Sequence, residues 1–169
     1  MTDAPVITID GPSGSGKGTI SQQLARSLGW HYLDSGAIYR ALAYAVEQAG
    51  LSVDINKQQI EKLARELKLS FRPSADGGAE VLLDNVNITA FIRTEECGAM
   101  ASILASDGDI RAALLQRQRD FRKSPGLIAD GRDMGTVVFP DATHKIFLTA
   151  SAQVRAERRY QQLKENGIN

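Results

Sequence analysis

The residues best suited to chemistry in this sequence form one run, Gly11-Pro12-Ser13-Gly14-Ser15-Gly16-Lys17-Gly18-Thr19. Glycines at that density let a backbone curl until successive N–H groups face a single anion, and Lys17 puts a full positive charge beside them. Between a strand and a helix, such a loop cradles the phosphates of a nucleoside triphosphate, with the helix N-terminus adding its partial charge and the lysine reaching the β/γ-phosphates. One position departs from the usual pattern. The residue after the lysine is normally a Ser or Thr that ligates magnesium, whereas here Gly18 follows and the hydroxyl comes one place later, at Thr19. Mg2+ carried with ATP must then lean on phosphates, water and a carboxylate. Asp130 is the first choice, acting through water; Asp10 is a weaker one, equally suited to bracing the loop.

Two more groups follow strand-like runs. Asp34-Ser35-Gly36 precedes a helical stretch carrying Arg40, so that a helix N-terminus, a hydroxyl and a guanidinium can converge on one anion. Asp130-Gly131-Arg132-Asp133-Met134-Gly135 offers Arg132 as a bidentate phosphoryl ligand and Asp133 as an acceptor for amino or hydroxyl donors. Either arginine alone reads as a surface charge; two such groups at strand ends argue for a site. Arg155 and Arg159 share a helix face, where they either close over a transferring group as a lid or pair with Glu157 or Glu165.

The elements that must position these groups alternate between strand and helix. Residues 6–10, 30–33, 127–130 and 145–149 read as buried strands. Helical periodicity runs through Ile20, Leu24, Ala25 and Leu28 to a stop at Gly29, and recurs over 37–49, 58–67, 94–105, 110–122 and 152–164. Residues 68–89 differ. Strand-like 69–71, 79–83 and 86–88 are separated by Pro73, Asp76-Gly77-Gly78 and Asp84-Asn85, the pattern of a small antiparallel meander. The expected fold is α/β, a mainly parallel sheet flanked by helices on both faces with that meander inserted, and ligands beyond the carboxyl ends of the strands.

Composition agrees and excludes several classes. The chain has 169 residues, 20 basic and 20 acidic, with 43% hydrophobic and 24% charged residues, which suits a globular domain and not a disordered one. Zero formal charge argues against a partner held by many nucleic-acid phosphates. No apolar run is long enough for a membrane helix, the N-terminus lacks signal-peptide regions, and the single Cys97 favours a reducing compartment; a cytoplasmic location is expected. Trp30, Tyr32, Tyr44, Phe71 and Phe91 read as packing residues, Arg117, Arg119 and Arg122 as a solvated face, and His31 and His144 lack ligand spacing.

The runs Gly11 to Thr19, Asp34-Ser35-Gly36-Ala37-Ile38-Tyr39-Arg40, Ile92-Arg93-Thr94-Glu95 and ADGRDMGTVVFPDA over 129–142 closely resemble the bacterial cytidylate kinases, a branch of the nucleoside monophosphate kinases. The cradle is common to many such kinases; the last run and the insertion at 68–89 are more particular to this branch. The resemblance implies transfer of the ATP γ-phosphoryl group to CMP or dCMP. It assigns Gly11, Pro12, Ser13, Gly14, Ser15, Gly16, Lys17, Gly18 and Thr19 to ATP, and Ser35, Arg40 and Arg132 to the acceptor nucleotide. Ser102, Arg111 and Asp133 match the positions that read the cytosine edge, and Lys17, Arg40, Arg132, Arg155 and Arg159 the charges around the transferring group. It divides the chain into a core at 1–34 and 124–150, an acceptor region at 35–123 and the start of a lid at 151–169. The expected enzyme is a monomer without nucleic-acid or membrane partners. The family continues for several dozen residues past Gly167-Ile168-Asn169, so the sequence reads as part of a longer kinase, with a sheet edge left open. The competing readings are a P-loop kinase of another nucleotide or small metabolite, such as shikimate, and a nucleotide-binding regulator. Of these, a GTPase switch would carry an Asn-Lys-x-Asp guanine reader, which does not occur here.

Overall fold

A computed structural model describes residues 3–165 and Gly167; positions 1, 2, 166, 168 and 169, and with them the ends of the expected core and lid segments, lie outside the described residues. Val6–Asp10 (β1) is apolar or β-branched on both faces up to its terminal acid, as a strand with two neighbours requires. It lies between Leu127–Gly131 (β6), buried along its whole length, and His144–Phe147 (β7). His31–Asp34 (β2) adds to the other side of β6, giving the order β2-β6-β1-β7 with all pairings parallel.

Strand alternation divides the core in two. Ile9 and Ile128 pack on Ala25 of Lys17–Leu28 (α1) on one face. Val6, Leu127 and Ala129 face the larger cluster, which includes Ile38 and Leu42 of Ser35–Gln48 (α2) and Ile60 of Lys57–Glu66 (α3). Thr89–Ile92 (α4), Glu95–Ser106 (α5) and Gly108–Arg119 (α6) complete that side with Ile92, Leu104, Ile110 and Leu114. Helices on both faces of a parallel sheet are the expected arrangement.

The insertion is a three-stranded antiparallel sheet, Leu69–Pro73 (β3), Ala79–Leu83 (β4) and Val86–Asn87 (β5), in the order β3-β4-β5. Asp84 and Asn85, at φ 49° and 66°, form the two-residue turn between partners Leu83 and Val86, a conformation these residue types tolerate better than most. Pro73, expected to separate strands, is instead the last residue of β3, an outer strand of this sheet.

Side-chain caps move two helix starts. Asp34 accepts from Ala37 N at 3.0 Å, so α2 begins at Ser35, ahead of its apolar stripe; Asp107 accepts from Asp109 N and Ile110 N, so α6 begins at Gly108. A single π-turn at Met134–Val138 follows β6, with no periodicity to announce it. The sheet order corrects the reading of 145–149 as a buried strand. With only β1 beside it among the described residues, β7 is exposed at every position, Phe147 to 70%. β2 is likewise an outer strand, and only Leu33 in it is fully buried. Ala152–Glu165 (α7) closes the described chain, with no buried residue.

Candidate nucleotide site

The loop after β1 depends on glycine at particular points. Gly14 and Gly16 sit at φ 76° and 89°, and a Cβ on Gly11 would come to 2.1 Å from the Leu148 carbonyl oxygen. Gly11 N donates to the Gly131 carbonyl at 3.1 Å, fastening the loop to β6. Gly16 gives α1 no side-chain cap, so N–H groups of the first turn stay available to a ligand. Inside the curl the Ser15 hydroxyl is buried without a hydrogen-bond partner among the described residues.

Strand register gathers three carboxyls beside this loop. Asp34 is the register partner of Asp130, and Asp10 that of Gly131. Asp130 is buried, accepts a 2.6 Å hydrogen bond from the Tyr32 hydroxyl, and lies with Oδ2 4.0 Å from where a Cβ on Gly18 would stand. Burial above all, then the negative charge of Asp34, pushes the Asp130 carboxyl up to about 7, against the Tyr32 hydrogen bond and the charge of Lys17. Burial also raises Asp34, opposed by the hydrogen bond from Ala37 N and by Lys17. Burial, more than any neighbouring charge, thus favours the neutral form of both carboxyls. Asp10 is otherwise engaged: its two oxygens accept from Met134 N and Gly135 N at 2.9 Å each, so it braces the π-turn.

Of the residues expected at the acceptor, Ser35 is buried and its hydroxyl donates to Gln118 Oε1 at 2.7 Å. Arg40 Nη1 donates to the carbonyls of Ile92 and Thr94 at 2.6 and 3.0 Å, pinning the turn from α4 into α5. Its Nη2 passes Gly98 so closely that a Cβ there would lie 2.6 Å away. Arg111 and Asp133 form an ion pair at 2.5 Å, and Arg111 also reaches the Ala105 carbonyl. Tyr39 lies within electrostatic reach of both: burial raises its phenol pKa, Arg111 lowers it and Asp133 raises it again. Ser102 is not drawn into this pair, its hydroxyl donating to the Gly98 carbonyl one turn back. Arg132 is exposed and makes no hydrogen bond or ion pair with the described residues.

The charged helix α7 lies against the loop. Arg158 Nη1 donates to the Gly14 carbonyl at 3.1 Å, and a cleft of about 580 Å³ opens between Ser13, Gly14, Gly16 and Thr19 on one wall and Glu157 and Arg158 on the other. Thr19, exposed, faces this cleft. Arg155 bonds the Ala150 carbonyl through Nε, while Arg159 pairs with Glu95 of α5 and bonds Gln162. Neither arginine takes Glu157 or Glu165, the partners offered by an isolated exposed helix. Two of the three arginines read as a solvated face are also committed: Arg119 bonds the carbonyls of Val137 and Val138, and Arg122 that of Ala4 together with Asp141. Arg117 pairs with Asp120 at the surface.

Sequence reasoning passed over Gln118, Tyr32, Tyr39 and Arg158. Gln118 carried a signal, a polar residue continuing the buried Ile110-Ala113-Leu114 stripe. Arg158 completes a helical triplet with Arg155 and Arg159. Tyr32 and Tyr39 had no local sign, because their polar partners come from distant segments.

A glycine-rich loop joining a central parallel strand to a helix, with a buried aspartate at the end of the next strand, defines a P-loop protein that binds nucleoside triphosphates. The comparisons narrow the class. The cytidylate kinase family model matches residues 7–169, and the chain belongs to that family. It is 58% identical over 167 residues to the cytidylate kinase of Nitrosococcus oceani, covering 98% of this chain and 73% of that one. The cytidylate kinase of Colwellia psychrerythraea is 58% identical over 165 residues, with 98% and 73% covered. That of a Marinomonas species is 56% identical over 167 residues, with 99% and 73% covered. Among the described residues no helix is long and apolar enough to cross a membrane, and no three His, Cys, Asp or Glu side chains, the strand-end carboxyls included, are arranged to hold one metal ion between them.

Proposed function

We propose that this chain phosphorylates CMP and dCMP with ATP, giving ADP and CDP or dCDP. Its core at 1–34 and 124–150 holds the donor, the region 35–123 the acceptor, and the segment from 151 onward covers the loop. The observation that carries the reading is the pairing of Arg111 with Asp133, beside Tyr39, three residues along the chain from the carboxyl that faces the phosphate loop. A carboxylate and a guanidinium set side by side match the amino donor and carbonyl acceptor of the cytosine edge, and a base that mismatches them leaves buried polar groups unpaired.

Phosphoryl transfer asks mainly for positioning and charge neutralisation. The loop N–H groups and Lys17 hold the donor phosphates, and Arg40 and Arg132 offset repulsion between the acceptor phosphate and the incoming group. Arg40 has only Nη1 tied to carbonyls, leaving other N–H groups for that phosphate. The attacking oxygen is already anionic, so no protein base is required. Ser35, fixed by Gln118, orients the acceptor, and Ser102 flanks the base. Arg155 and Arg159 shield the reaction from water, which would otherwise compete for the phosphoryl group.

The residues present suit a divalent cation arriving with ATP. Asp130 lies beside Gly18, where a hydroxyl ligand would usually stand, with Asp34 as its register partner on the neighbouring strand. Asp130 would hold Mg2+ through water, and the ion would supply neutralisation of the phosphate charge.

The test is ADP release measured with CMP, dCMP, UMP, AMP and shikimate as acceptors. CMP and dCMP should accelerate it far above the acceptor-free rate and above the others. Acceptor-independent release, or a preference for AMP or shikimate, would overturn the assignment.

A further inference from the structure

A cavity of about 790 Å³ contains none of the residues assigned above to ATP or CMP. It lies between the inserted sheet and the core, bounded by α1, β2, β3 and the end of α6. Its size falls in the ordinary range for small-molecule sites. One wall is a series of half-buried aromatic rings: Tyr32 meets Phe71 edge-on at 5.8 Å, and Phe71 meets Phe121 at 5.5 Å. Trp30 adds a fourth ring to the lining.

The charged lining is unbalanced. Arg26, Lys68, Arg72, Arg117 and Lys123 line the cavity against Asp84 and Asp120. Arg72 is neutralised by Glu80 and Arg117 by Asp120. Lys68 and Lys123 form no ion pair with the described residues, and Arg26 spends only its Nε, on the Gln22 carbonyl. Three unpaired cations from separate segments, against the one unpaired carboxylate of Asp84, leave net positive charge beside the aromatic faces, which suits a ligand that is flat and apolar at one end and polyanionic at the other.

We propose that this cavity is a second nucleotide site, separate from donor and acceptor, which takes the base of a nucleoside triphosphate against the Tyr32–Phe71–Phe121 wall and its phosphates on Arg26, Lys68 and Lys123. The site has a route to the phosphate loop. Tyr32, in the cavity wall, is the donor to Asp130 at 2.6 Å, so an occupant touches the side chain that orients the loop-facing carboxyl.

Trp30 is the only tryptophan in the chain and lines the cavity, which makes its fluorescence a local reporter. CTP and ATP would each be titrated into the protein, into Lys17→Ala, into Lys68→Ala/Lys123→Ala and into Phe121→Leu. Cytidine and inorganic tripolyphosphate serve as half-ligands. Expected is a saturable change with at least one of the two nucleotides, half-complete at or below about 1 mM. That change survives Lys17→Ala and weakens about tenfold or more in the double lysine variant, whose exposed positions leave folding intact. Phe121→Leu weakens it as well if that variant folds, and the lysine pair decides the matter if it does not. No saturable response to either nucleotide would overturn the proposal. So would a response lost in Lys17→Ala but unchanged in the lysine variant, or one that tripolyphosphate reproduces in full. Failure of CMP phosphorylation would leave this result standing, since the reporter does not depend on turnover.

Discussion

Replacing Asp133 by alanine separates reading a base from holding the fold. In the free protein Asp133 meets Arg111 at 2.5 Å, but the side chains are 27% and 44% exposed. Partly solvated pairs of this kind contribute about 0.2–1 kcal/mol, so the variant should lose no more than that, a shift of at most about 4 °C in Tm for a chain of this size. Binding changes the balance. Once a base covers the pair, the cytosine amino group loses its acceptor in the variant, and a buried donor left unpaired costs about 1–3 kcal/mol. At tenfold per 1.4 kcal/mol, kcat/KM for CMP should fall about 5- to 150-fold. UMP presents a carbonyl where CMP presents the amino group, so it should lose less, and the KM for ATP should move less than about twofold. The assay is coupled ADP release with both acceptors, beside urea unfolding of the same preparations. An equal fall for CMP and UMP, a parallel rise in the KM for ATP, or a stability loss above about 2 kcal/mol would refute the assignment of Asp133 as a base reader.

Three other perturbations test other parts of the structure. Gly11→Ala drives a Cβ into the Leu148 backbone oxygen, which no rotamer relieves; it should cost about 2 kcal/mol or more in urea unfolding and weaken ATP binding by calorimetry, and parental values for both would contradict the crowding. Gly98→Ala meets only the flexible end of Arg40, so it should leave stability nearly unchanged while displacing that guanidinium from the Ile92 and Thr94 carbonyls; the expected outcome is an altered KM for CMP at constant Tm. Asp130→Asn removes a buried carboxyl whose pKa is raised from 3.8 to about 7, while its amide oxygen can still accept from Tyr32. A carboxyl with a raised folded pKa supports the fold below about pH 4, and that support is lost as pH climbs through 7. The nucleotide-free variant should therefore match the parent near pH 4 and exceed it above pH 7, by up to about 4 kcal/mol, with phosphotransfer lost. Urea midpoints that differ by the same amount at both pH values would contradict this.

The elements that place the site were legible where one residue type carried a local constraint. Gly29 ends α1 in the left-handed region, as its position after the apolar stripe requires, and the glycines of the loop predict its curl. The inserted meander followed from its turn residues. What stayed hidden depended on sheet order. Nothing local in 145–149 tells an outer strand from an inner one, because the same apolar run serves both until its neighbours are known. Arg119 and Arg122 read as solvated since their carbonyl partners are contributed by residues 4, 137 and 138. Ser35 was legible, but Gln118, which holds it, lies 83 positions away. Arg111 and Asp133 were paired through a family resemblance; spacing alone does not bring them together.

The two-pronged grip of Asp10 on Met134 and Gly135 has a mechanical consequence. Asp10 opens directly into the phosphate loop, and Met134 directly follows Asp133, so this carboxylate ties the glycine-rich loop and the segment carrying Asp133 into one frame. Closure on substrates should leave the distance between those two points unchanged. The travel falls to parts held from outside the frame: α7, tethered by Arg158 to Gly14 and by Arg159 to Glu95, and the α4–α5 corner, tethered by Arg40. Amide exchange should be slow at Met134 and Gly135 and faster along α7, with the hinges at the ends of the tethered helices.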